Sequence, residues 1–197
     1  MSHHIFPIRY ISEIYVLQGT LLVNIAALPS PSEAERSKAA AFTKMGREDQ
    51  IVEGLKLLTD RATFIGVHIL QMADDGNCQF RALSHELFGH ERHHLVVRAR
   101  VIAYLRAHAS EYSFYVGDES DWSHYLSVMC QDRTWGDELT LRAASEAFGC
   151  VVHVVTSEKE NWLLQYGQPL DEPRQRHLFL AYVSPIHYNV VAPLETP

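Results

Sequence analysis

The sequence predicts an α+β domain in which a helical layer packs on a largely antiparallel sheet. Apolar residues recur at helical spacing through the middle of the chain, and β-branched runs dominate its last third. Composition agrees: 197 residues, 47% hydrophobic and 21% charged, describe an ordinary globular chain with enough apolar surface for a core.

From the N-terminus, Ile14 to Leu28 is apolar but broken by Gln18, Gly19 and Asn24. It is too short and too polar to span a bilayer, and Glu13 is a poor flank for a signal peptide, so a core strand or hairpin is expected. Pro29, Ser30, Pro31 and Ser32 punctuate the chain, and Ser32 followed by Glu33 and Glu35 resembles a helix start. The stretch to Asp60 reads as helix, in two segments around Gly46, with Ile51, Leu55 and Leu58 on one face. Phe64 to Leu70 reads as a strand.

After Cys78, the positions Phe80, Leu83 and Leu87 follow helical spacing, and Gly89 is placed to end that helix in a left-handed cap. Three more helices are predicted around Val97 to Leu105, Trp122 to Met129, and Leu141 to Phe148 before Gly149. Strands follow. Cys150 to Thr156 is nearly continuous and β-branched, as suits a strand buried on both faces, and Trp162–Tyr166, His177–Val183 and Tyr188–Val191 complete the sheet.

A formal charge of −7 without any Lys/Arg-rich run argues against nucleic acid as a partner. Three cysteines, Cys78, Cys130 and Cys150, lack CxxC spacing and are odd in number, which suits neither a disulfide framework nor a zinc ribbon. A reducing compartment, the cytoplasm or the nucleus, is the expected setting. His85, His90, His93 and His94 invite a metal reading, but His93 and His94 point apart on a helix and Gly89 interrupts a shared face. No metal and no cofactor is expected.

Chemistry concentrates at two places. In Asp74-Asp75-Gly76-Asn77-Cys78, turn-forming residues precede a cysteine that opens an amphipathic helix, whose free N–H groups stabilise a thiolate. The same turn offers N–H groups to an oxyanion, with Gly76 permitting close backbone approach. A nucleophilic thiol needs a base. His187, more than a hundred positions downstream, stands at a strand entrance with Asn189 two residues on, and residues two apart in a strand share a face. A Cys/His pair distant in sequence and adjacent in space is the arrangement expected of cysteine proteases.

The run Asp75-Gly76-Asn77-Cys78-Gln79-Phe80-Arg81-Ala82 resembles the nucleophile motif of the ovarian-tumour (OTU) family of cysteine-protease deubiquitinases. Thr134-Trp135-Gly136-Asp137-Glu138-Leu139-Thr140-Leu141 resembles its central Trp-Gly motif, and His187-Tyr188-Asn189 its terminal histidine motif, all in the family's order. The resemblance implies a papain-like fold and hydrolysis of the isopeptide bond at the C-terminal glycine of ubiquitin or a ubiquitin-like modifier. It implies Cys78 as nucleophile, His187 as general base, Asn189 orienting the ring, and Asp75 supporting the histidine or shaping the turn. Gly76 and Asn77 become oxyanion-loop residues, and Trp135 is either a wall of the substrate cleft or a core aromatic.

On the same reading residues 61–197 form the OTU-like catalytic domain and residues 1–60 an N-terminal extension, a helical accessory arm. The expected partners of this monomer are ubiquitin, polyubiquitin chains and ubiquitinated proteins, with no nucleic acid and no membrane. The alternatives are a catalytically weak OTU module that only binds ubiquitin and a zinc-dependent, histidine-rich protein.

Overall fold

The structure, a computed structural model, describes residues 16–17, 20–21, 46–170 and 174–193. Two short strands, β1 (Val16–Leu17) and β2 (Thr20–Leu21), pair antiparallel with Val16 opposite Leu21. This covers part of the hairpin expected over Ile14 to Leu28. The rest of that stretch and the helix start at Ser32 lie outside the described residues.

Helix α1 (Arg47–Phe64) begins after Gly46 and runs through residue 60, so the strand expected from Phe64 starts later, as β3 (Val67–Leu70). Helix α2 (Cys78–Phe88) stops at Gly89, whose φ of 76° is the left-handed conformation that glycine adopts without steric cost. A 3₁₀ turn leads into α3 (His94–Ala107), and a short α4 (Ala109–Tyr112) and a second 3₁₀ turn precede α5 (Glu119–Met129). Reciprocal caps, Asp118 with Asp121 and Asp137 with Thr140, satisfy orphan N–H groups at the starts of α5 and α6 (Glu138–Phe148).

The remaining strands are β4 (Cys150–Thr156), β5 (Leu163–Tyr166), β6 (Arg176–Val183) and β7 (His187–Pro193). Together with β3 they form one sheet in the order β3-β7-β6-β4-β5, antiparallel except for the β4/β6 pair. The parallel pair follows from connectivity. The β4–β5 hairpin returns the chain to the end of the sheet where β4 began, and β6 starts there on the other side of β4.

Alternation along β4 and β6 divides the sheet's side chains between two cores. Cys150, Val152, Val154, Leu178 and Leu180 pack with Phe80, Leu83, Val97, Val101 and Leu141 beneath the helical layer. On the opposite face Val155, Ala181, Val183 and Val191 pack against Leu58 and Ala62 of α1. The expected single helical layer is therefore joined by α1 across the sheet. Leu58 has no exposure, and burying a leucine contributes about 2 kcal/mol, enough to hold α1 in register on the strands.

Where β6 runs beyond its ladder with β7, whose last pair is Leu180 with Val190, the Phe179 N–H donates to Glu86 Oε2 of α2 at 2.7 Å. Burial pushes the Glu86 carboxyl up to about 7. A raised acid favours the fold while it stays protonated. The contribution is therefore complete below the ordinary carboxylate range near 4.5 and is lost as pH rises through 7. Glu86→Gln keeps an amide oxygen for Phe179 and removes the titration. We expect it to stabilise the protein by roughly 1 to 3 kcal/mol at pH 8 and to change little at pH 4, in urea melts at the two pH values. Equal differences at both pH values would remove Glu86 from this role.

Candidate active site

Gly76 has φ 84°, and a Cβ there would come within 2.4 Å of the Arg133 carbonyl oxygen. Only glycine lets the turn before α2 lie directly against the 132–134 loop. The glycine read as room for an oxyanion thus first serves backbone packing. This contact brings Cys78, the first residue of α2, beside the loop that carries Trp135.

Asn77 precedes α2, yet its side chain does not cap the helix. It is buried and satisfied at all four positions: Nδ2 donates to Asp75 Oδ2 (3.2 Å) and Asp132 Oδ1 (2.9 Å), and Oδ1 accepts from Arg98 Nη2 (2.7 Å) and the Arg133 N–H (3.1 Å). Its own N–H donates to Asp75 Oδ1 at 3.1 Å, so of the oxyanion donors expected here the Asn77 amide is already engaged. Among the described residues the N–H groups of Gly76 and Cys78 carry no such bond.

Asp75 accepts from the Asn77 side chain and backbone and, through both oxygens, from Arg81 Nε (3.0 Å) and Nη2 (2.7 Å). The Arg81 hydrogen bond is the chief reason its carboxyl is held well below the usual range. Each of these bonds closes the turn, so of the two roles open to Asp75 the geometry fits shaping the turn. A catalytic contact with His187 is not formed.

His187 opens β7, and Asn189 lies on the same face two residues on, as period two requires. The ring nevertheless has no hydrogen bond to Asn189 among the described residues. His187 Nε2 lies 3.2 Å from the Met72 carbonyl oxygen, and Asn189 Oδ1 accepts the Met72 N–H at 3.0 Å. The chain after β3 peels away from β7 beyond the Leu70–Val190 pair, and the Asn189 side chain takes the amide that the ladder no longer reaches. Asn189 therefore acts on the ring through the Met72 peptide. Because a carbonyl only accepts, Nε2 carries the proton and Nδ1 is the basic atom.

Cys78 lies close enough to this ring to act on it. The interaction with its thiol is the largest cause of a raised His187 pKa, followed by the opposing effect of burial and then by the charges of Cys78 and Asp74. Nδ1 has no well-aligned partner, as is common for catalytic hydrogen bonds that tighten only around substrate. Asp74 Oδ1 lies 3.6 Å from it. A thiol and an imidazole so placed can exchange a proton and support nucleophilic attack.

Trp135 is 52% exposed and so is not a core aromatic. Its neighbour Gly136 lies against Gln79 of α2, where a Cβ would fall 2.0 Å from Oε1. Gln79 Nε2 donates to the Asp137 carbonyl (3.0 Å) and Oε1 accepts from Thr140 Oγ1 (2.7 Å), fastening the Trp-Gly segment to the helix that Cys78 opens. The histidines near residue 90 do not converge: among the described residues no three His, Cys, Asp or Glu side chains are grouped to hold a metal.

The sequence reading missed Arg98 of α3. It is buried, stacks 3.9 Å over Phe80, and donates to Asn77 Oδ1 and to the Met129 (2.9 Å) and Thr134 (2.6 Å) carbonyls. An arginine between Val97 and Val101 on a core-facing helix was the available signal. The Met72 carbonyl left no trace in the sequence.

Residues 73–189 match the family described as OTU-like cysteine protease. The chain is 32% identical over 146 residues to OVARIAN TUMOR DOMAIN-containing deubiquitinating enzyme 9 of Arabidopsis thaliana, an alignment covering 74% of this chain and 41% of that protein. It spans between 40% and 59% of the length of four such Arabidopsis relatives. The fold is similar to that of the OTU domain of OTUD1, with TM-score 0.64 and 17% identity over 74% of this chain and 99% of that one. A Hazara virus OTU solved bound to ubiquitin is similar with TM-score 0.53 and 16% identity, over 66% of this chain and 83% of that one. With the match spanning more than half its length, the chain belongs to the OTU-like cysteine protease family.

Proposed function

We propose that the chain is a deubiquitinase that hydrolyses the isopeptide bond at the C-terminal glycine of ubiquitin or a ubiquitin-like modifier. The observation that carries this reading is Cys78 at a helix N-terminus, close enough to His187 to raise the pKa of its ring. The names of the Arabidopsis relatives and the ubiquitin bound to the Hazara virus domain support the choice of substrate.

In this reading Cys78 Sγ attacks the glycine carbonyl carbon while His187 Nδ1 holds the thiol proton. The Gly76 and Cys78 N–H groups, at the positive end of α2, face the oxyanion. Collapse of the tetrahedral intermediate breaks the C–N bond, and Nδ1 passes its proton to the departing lysine amine. Water, deprotonated by the same nitrogen, then hydrolyses the thioester and restores the thiol. Exposed Trp135, anchored through Gly136 to Gln79, forms a wall of the cleft along which the tail of ubiquitin lies.

The acceptor set needs neither metal nor cofactor. The three cysteines are free thiols, which supports a reducing compartment such as the cytoplasm or nucleus. Among the described residues no helix is long and apolar enough to cross a membrane.

Incubation with ubiquitin carrying a C-terminal electrophile tests the reading. Intact mass should show one adduct, mapped to Cys78 by peptide sequencing, formed equally fast in chelator and blocked by prior alkylation. An adduct elsewhere, no adduct, or loss of reaction in chelator restored by zinc would overturn it.

A further inference from the structure

The ring of a general base needs two things from its surroundings: a fixed orientation and a counter-charge for the proton it gains. Orientation is supplied at Nε2 by the Met72 carbonyl, itself held by Asn189, and both groups are neutral. Among the described residues no carboxylate bonds the ring at Nε2, and Asp75 is occupied by Asn77 and Arg81. The counter-charge has to come from the Nδ1 side.

Asp74 is there, its Oδ1 3.6 Å from Nδ1. Its side chain is 85% exposed and lines a cavity of about 210 Å³ together with His187 and Asn189. The other elements around this cavity contribute Leu55 of α1, Val183 of β6 and Ile186 of the β6–β7 turn, none of them charged. Apart from Cys78, Asp74 is the side chain whose charge acts on His187 among the described residues.

We propose that Asp74 is the acidic positioning residue of this site, standing against His187 Nδ1 and stabilising the imidazolium of the thiolate–imidazolium pair. It rests on Cys78 and His187 being that pair. Adjacent carboxylates divide the work: Asp75 turns inward to close the Gly76 turn, and Asp74 turns outward to the base. Substrate bound beside the ring would exclude solvent from around Asp74 and His187, and their attraction would grow as the local dielectric falls. A partly hydrated charge therefore exerts its largest effect after substrate binds, on kcat rather than KM.

The test uses Asp74→Asn, Asp74→Glu and, as a control, Asp75→Asn. For Asp74→Asn we expect kcat/KM on a fluorogenic ubiquitin substrate to fall on the order of fivefold at pH 7.5, chiefly in kcat, from a unit charge at this separation. Losing a negative charge beside the imidazolium lowers its pKa, so the alkaline limb of the profile moves down by roughly half to one pH unit. Asp74→Glu should restore most of both, and 1 M NaCl should shrink the difference between wild type and Asp74→Asn. Asp75→Asn should lose activity through the turn without moving the limb.

The His187 ring titration, followed by NMR and assigned through His187→Gln, reads the same shift without any ubiquitin. If ubiquitin is not the substrate, turnover is absent while the titration still moves with Asp74. An unmoved titration in Asp74→Asn overturns the role of Asp74 whatever the substrate is.

Discussion

Cys78→Ala is expected to abolish cleavage of ubiquitin conjugates, with kcat reduced by about 10,000-fold or more, while the folded chain should still bind ubiquitin. In the proposed reaction the thiol is the atom that forms the acyl bond, and no other cysteine is placed to replace it. Cys150 is buried in β4 with its thiol pushed up to about 12 by desolvation, and Cys130 lies at the end of α5, its Sγ donating to the Ser127 carbonyl. Alanine is the best helix former, and one buried sulfur atom is a small loss of packing, so the stability cost should stay near 1 kcal/mol. Turnover assays, thermal melts and calorimetric binding to ubiquitin on the same preparation separate these effects. Cleavage retained within tenfold of wild type would end the assignment of Cys78 as nucleophile.

Local signals in the sequence were read well where they depend on local physics. Gly89 and Gly149 end α2 and α6 in the left-handed conformation, and β4 is buried at every position as its β-branched run requires. Cys78 opens α2, and His187 and Asn189 share a face of β7. Partners were less legible because they are set by tertiary contacts between distant segments. Nothing near Asn189 in sequence points to the Met72 peptide, which reaches it only because β3 leaves the sheet early. Asp74 and Asp75 are indistinguishable by residue type, and the positive φ of Gly76 lies between the inward Asp75 and Cys78. The layer formed by α1 was hidden because its apolar face reads the same whether it packs on the sheet or on an accessory arm. Arg98 was overlooked because a charge on an apolar helix face reads as a solvated residue until its three acceptors come into view.

Arg98→Met should destabilise the fold by about 3 to 5 kcal/mol and, in the fraction still folded, slow catalysis by roughly 10 to 100-fold. Burial lowers the pKa of this guanidinium, yet arginine starts so high that it stays charged, with Asp132 and Asp75 nearby favouring the charged form. Methionine fills much of the volume and keeps contact with Phe80, so the loss is mainly polar. Three acceptors, Asn77 Oδ1 and the carbonyls of Met129 and Thr134, lose a donor together, the first two buried and the third partly so. Each such vacancy costs about 1 to 3 kcal/mol, moderated at Asn77 by its second bond from the Arg133 N–H. For a chain of this length the sum lowers the melting temperature by roughly 10 °C. Catalysis suffers because Arg98 is the bolt between three parts of the site: the Asn77 turn that presents Cys78, the end of α5, and the loop that carries Trp135. Released, these parts can shift by fractions of an ångström relative to His187, which the near-attack geometry of the thiolate does not tolerate. Arg98→Lys separates charge from geometry. It keeps the positive charge near Asp132 and Asp75 but offers a point donor in place of a planar fork, and should fall between wild type and Arg98→Met in both melting temperature and kcat. Thermal melts of the three proteins, with kcat/KM measured well below the lowest transition, decide the matter. If Arg98→Met melts with wild type and turns over at wild-type rate, the Asn77 turn and the Trp135 loop are held together without it, by Gly76 packing and the Asn77 bonds to Asp132 and Arg133.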